Sequence, residues 1–112
     1  MAIVIIPEEL ENKINKKFKK ESIKIFELLF SLEKNPKKGK EIGCIGKTII
    51  KELKYKSYRF YFITDGYSLK VLDMEDLQNL IIKFVRMSDK KTQQKTIDEI
   101  KQVLRNLEKN KS

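Results

Sequence analysis

The hydrophobic period predicts an α+β fold, because it changes twice along the chain. From Glu8 and again from Thr96 the apolar residues recur at helical spacing, whereas from Thr48 to Arg86 they tend to alternate. Length is the third observation: 112 residues suit one domain (residues 1–112) built on one core. The expected architecture is an N-terminal strand and a helical hairpin packed on a four-stranded antiparallel meander, followed by a C-terminal helix.

Ala2–Ile6 is short, apolar and β-branched, and reads as the first strand. Pro7 suits the first turn of a helix. Leu10, Ile14 and Phe18 then recur every fourth residue, with Glu8, Glu9 and Glu11 at the positive end of the helix dipole and Lys16 and Lys17 at the negative end. A second helix is predicted over Glu21–Leu32, with a wider apolar face, and Asn35-Pro36 ends it. The stretch Pro36–Lys47 reads as a basic loop, with Gly39, Gly43 and Gly46 among Lys37, Lys38 and Lys40. It lacks the spacing of a phosphate-binding loop. Four strands are predicted next: Thr48–Lys56, Tyr58–Ile63, Tyr67–Asp73 and Leu80–Arg86, with turns at Lys56-Ser57 and Asp65-Gly66. Alternation sends Phe60 and Phe62 toward the helices and Arg59 and Tyr61 to the opposite face, expected to be open. Thr96–Leu107 is the last helix, with a capping-box spacing from Thr96 to Glu99.

Composition narrows the chemistry. With 25 Lys+Arg against 16 Asp+Glu the formal charge is +9, which raises the local concentration of polyanions and points to nucleic acid, RNA before DNA. Lys-rich composition that only reflects heat tolerance is the bland alternative. The chain has no His and a single Cys, Cys44, which removes catalytic imidazole, the usual zinc sites and a disulfide framework. No metal or other cofactor is expected. No apolar run approaches the ~20 residues of a membrane span, and the N-terminus lacks a basic segment of the secretory kind, so a cytoplasmic protein is expected.

Two stretches resemble a known family. Lys51-Glu52-Leu53-Lys54 followed by Tyr58-Arg59-Phe60-Tyr61-Phe62 is similar to the core of the RelE/ParE superfamily of toxin–antitoxin toxins. Phe84-Val85 followed by Lys90-Lys91-Thr92-Gln93-Gln94-Lys95-Thr96 is similar to a signature of its HigB-like branch. Arg86–Asp89 lengthens the usual gap before the lysine pair, and the tyrosine that many such toxins carry near the C-terminus has no counterpart after Tyr67. The resemblance implies a toxin that cleaves mRNA on the ribosome, by attack of an RNA 2′-hydroxyl on its own phosphate, and an acidic antitoxin as partner. Cations aimed at the phosphoryl oxygens suit that reaction without a histidine.

On this reading Arg59, Arg86 and Lys54 are the catalytic candidates. Lys51, Tyr61, Lys90 and Lys91 are the RNA-binding ones, Tyr61 as a stacking platform. Arg59 leads because a strand holds its planar fork rigidly against phosphate oxygens; its structural alternative is an ion pair with Glu52. A gyrase-inhibiting toxin of the ParE branch and a non-catalytic RNA-binding relative are the competing functions.

Overall fold

In the computed structural model, residues 3–35, 37–64 and 68–109 are described. Alternation in the middle of the chain builds β3 (Thr48–Tyr55), β4 (Tyr58–Thr64) and β5 (Ser68–Leu72). β2 (Lys40–Ile45) precedes them, and together the four form an antiparallel meander. β1 (Ile3–Ile5) runs parallel to β5, with Ile3 opposite Ser68, and completes a five-stranded mixed sheet of order β1-β5-β4-β3-β2.

β2 corrects the expectation of a loop over Pro36–Lys47. Its pairing with β3 shifts register between Glu41 and Gly43, and this bulge lets Ile42 and Ile45 bury on one face although they are three residues apart. Both described hairpin turns have two residues, Gly46-Lys47 and Lys56-Ser57, with a positive φ at the first of them. At Lys56 (φ 53°) a non-glycine residue holds that conformation, and its ammonium lies 2.9 Å from Glu21 Oε1. The Asp65-Gly66 turn lies outside the described residues.

α1 (Glu8–Phe18) and α2 (Ser22–Phe30) form the helical hairpin, linked by a 3-10 turn, Lys19–Glu21. They cover one face of the sheet. Leu10, Ile14, Ile25, Leu29 and Leu32 pack there against Val4, Leu53, Phe60, Phe62, Leu69 and Val71. Phe60 and Phe62 thus face the hairpin, as their parity requires.

The other face is not open. Leu80–Arg86, expected as a strand, belongs to α3 (Met74–Met87), and α4 (Gln93–Lys109) follows it. Leu77, Ile100, Val103 and Leu107 from these helices bury Ile42, Ile45, Ile50, Tyr61 and Leu72 in a second core. The sheet is therefore sandwiched between two helical layers. α4 begins before Thr96, so the expected capping box does not form. Asp89 Oδ1 instead accepts from the Thr92 amide at 2.9 Å, ahead of the helix. Glu99 Oε2 accepts from the Gly46 amide at 3.1 Å and ties α4 to the β2–β3 turn. Among the described residues no helix is long and apolar enough to cross a membrane.

α3 starts on an N-cap. Asp73 Oδ1 accepts from the Asp76 amide at 2.8 Å, and Oδ2 accepts from Lys13 Nζ at 3.2 Å. Burial pushes the Asp73 carboxyl up, but the Asp76 amide and Lys13 outweigh it and hold the group below its ordinary value. A lowered folded-state pKa stabilises above the unfolded value, near 4, and that contribution fades as pH falls through the folded one. Burial and the Asp73 charge raise Asp76, whose effect has the opposite sign. Asp73→Ala is expected to cost about 1–2 kcal/mol at neutral pH and progressively less in acid. Thermal melts between neutral pH and pH 3 check this; an unchanged deficit across that range would show that ionised Asp73 is not the source.

Candidate nucleic-acid interface

The two-residue Lys56-Ser57 turn sets Lys54 directly opposite Arg59, and Glu52 opposite Tyr61. All four project from the face covered by α3 and α4. Lys54 is exposed, Arg59 half-buried, and Glu52 and Tyr61 buried. Arg59 Nη1 lies 3.7 Å from Glu52 Oε2, with the side chains 17% and 8% exposed. That distance is an ion pair without a hydrogen bond, and Oε2 has no hydrogen-bond partner. The structural alternative for Arg59 is thus present, in a loose form. That Glu52 oxygen, buried without a hydrogen-bond donor, is compensated by the adjacent guanidinium.

Tyr61 is 1% exposed. Burial, with the Glu52 charge adding to it and Arg59 opposing it, pushes its hydroxyl up to about 12, so it stays a neutral donor at physiological pH. A ring buried this far cannot take a stacked base in this conformation. Arg59 and Tyr61 nevertheless line a cleft of about 360 Å³, together with Ser57, Tyr58, Met74 and Leu107. The first turn of α3 and the last turns of α4 make its walls.

The other candidates lie elsewhere. Arg86 is exposed near the far end of α3, roughly 18 Å along the helix from Met74 at 1.5 Å per residue. Lys90 and Lys91 are exposed in the turn that joins α3 to α4. Arg86 therefore groups with this lysine pair rather than with Arg59. Lys51 shares the parity of Leu53, which packs against the helical hairpin, and sits on the opposite face of the sheet from Arg59. Cys44 is exposed, its sulfur 3.9 Å from Glu99 Oε2. Among the described residues no group of three or more His, Cys, Asp or Glu could hold a metal ion.

A second cleft of about 360 Å³ was not legible in the sequence. Lys13, Lys16, Lys17 and Phe18 of α1 line it with Tyr58 and the Asp73 cap. Lys17 Nζ sits 4.4 Å from the Tyr58 ring centroid, and Phe18 meets Tyr58 edge-to-face at 5.2 Å. In the sequence, the lysine-rich last turn of α1 signals only a match to the helix dipole. Tyr58 lines both clefts.

The fold and the clefts define a basic α+β protein with two clefts that share Tyr58 at the end of the sheet that carries the β3–β4 turn. No family model matches the chain, and neither a curated protein nor a solved structure matches it.

Proposed function

We propose that the chain is the toxin of a toxin–antitoxin pair, akin to the RelE/ParE superfamily, and cuts mRNA on the ribosome. The observation that carries this reading is the setting of Arg59, on the central strand β4, opposite exposed Lys54 and in the wall of a cleft. In the reaction the RNA 2′-oxygen loses its proton and bonds to phosphorus while the bond to the 5′-oxygen breaks and that oxygen gains a proton. Negative charge grows on the phosphoryl and leaving oxygens, where Arg59 and Lys54 stabilise it. Arg86, Lys90 and Lys91 form a separate basic end that suits the RNA backbone or ribosomal RNA. An acidic antitoxin from a neighbouring reading frame is the partner that +9 charges call for.

Induced expression followed by mapping of mRNA 5′ ends tests the proposal. Growth arrest with new cuts in translated mRNA supports it. Arrest with double-strand DNA breaks and intact mRNA favours the gyrase-inhibiting reading instead. A non-catalytic RNA-binding relative is the second reading, favoured by the burial of Tyr61 and the distance of Arg86 from Arg59; it predicts binding without cuts. On either RNA reading affinity falls steeply with salt. Four to six released counterions give a log–log slope of about −3 to −4 on single strands, and titrations at several salt concentrations measure it. A flat dependence would remove charge as the basis of binding.

A further inference from the structure

The cleft on α1 belongs to neither the catalytic nor the RNA-binding residues assigned above, yet it adjoins the Arg59 cleft at Tyr58. Its carboxylate is already engaged: Asp73 caps α3 with one oxygen and holds Lys13 with the other. Glu75, on the rim, lies 3.8 Å from the same lysine. Lys16 and Lys17 are exposed and have no carboxylate partner among the described residues. Lys17 rests over the Tyr58 ring, a contact that holds an ammonium in place without neutralising it. Lys16 and Lys17 thus carry no direct ion pair in a concave site that is net positive by one charge, its three lysines facing Asp73 and Glu75, and that shares Tyr58 with the cleft holding Arg59.

We infer that Lys16 and Lys17 form a second phosphate subsite for single-stranded RNA, so that the strand crosses Tyr58 from the Arg59 cleft onto the last turn of α1. This inference rests on the RNA reading above and adds the path of the strand. Tyr58 is the shared wall between the subsites and keeps Lys17 at the crossing. Lys13 stays with Asp73 and fixes the floor of the second cleft.

The test is anisotropy of a short, labelled single-stranded RNA carrying 2′-O-methyl groups, which blocks the attacking oxygen and leaves binding alone. Three full-length proteins are compared over a range of salt: wild type, Lys16→Ala/Lys17→Ala, and Lys47→Ala/Lys101→Ala. The last pair removes the same charge outside both clefts, since Lys47 lies in the β2–β3 turn at the opposite end of β3, and Lys101 is an exposed residue of α4. Each lost phosphate contact lowers the salt slope by about 0.7 on single strands. The cleft pair should therefore lose about 1.4 from its slope and bind roughly tenfold more weakly at low salt. The control pair should lose less than half of that slope, and melting curves should coincide for all three, as expected for exposed sites. If the two double variants behave alike while wild type still binds, the subsite is wrong and the RNA reading stands. If wild type itself fails to bind, both fall.

Discussion

Arg59→Ala is expected to lose about a hundred- to thousand-fold in mRNA cleavage, the usual consequence of removing one charge-stabilising contact from a transition state. Composition and parity alone would make this a harmless surface change for the fold. The buried position of Glu52 changes that expectation. Without the guanidinium 3.7 Å away, a carboxylate 8% exposed loses that counter-charge. Breaking a fully buried pair costs about 3–5 kcal/mol; with Arg59 partly solvated, about 1–3 kcal/mol is expected. Glu52→Gln in the same chain should restore most of the stability and none of the activity. Arg59→Lys should keep the charge balance but recover cleavage only in part, because an ammonium lacks the planar fork. Melting temperatures and cleavage rates of the four proteins separate the two roles. A Glu52→Gln/Arg59→Ala protein that melts like wild type and cuts at full rate would exclude Arg59 from the reaction.

Gly39→Ala is expected to be strongly destabilising for a change of a single methyl group. Gly39 has φ +101°, and an added Cβ would stand 2.9 Å from Phe62 Cζ and 3.1 Å from the Glu52 carbonyl oxygen. Phe62 is fully buried in the core under the helical hairpin and has nowhere to go. The left-handed backbone costs about 1–2 kcal/mol and the overpacking about 1–3 kcal/mol. Together they should lower the melting temperature by roughly 10–20 °C. Gly46 supplies the comparison: its φ is +61°, but an added Cβ meets nothing within 4 Å. Gly46→Ala should thus show the backbone cost alone. Equal losses at both positions would mean that contact with Phe62 is not the cause.

The elements that kept a single period were legible. The Leu10, Ile14, Phe18 stripe gave α1, and the parity of Phe60 and Phe62 gave both β4 and the face that it presents. β2 was hidden because its bulge at Ile42 breaks the alternation and because glycines and lysines dominate the segment. α3 was misread because a run such as Leu80–Val85 fits a buried strand as well as a helix. The information that decides it lies upstream, in the Asp73 cap, in Glu75 and Asp76 in the first turn, and in the Leu77, Ile81, Phe84 spacing. That one error left the second face of the sheet uncovered in the expectation and turned Tyr61 from a core residue into a stacking platform. The direction of Arg59 could be read from parity. Its company could not, since Met74 and Leu107 meet it only through tertiary packing.

The second core also sets an order of assembly. The first core draws only on residues between Val4 and Val71, so a growing chain can close it once β5 has formed and paired with β1. The second needs Leu77 through Leu107, and Leu107 is a wall of the Arg59 cleft. A chain still being synthesised can therefore hold a folded hairpin layer while the Arg59 cleft has no far wall. Docking of α4 through Glu99 and Val103 creates that wall, and the Arg59 cleft takes shape only once the last helix has been made.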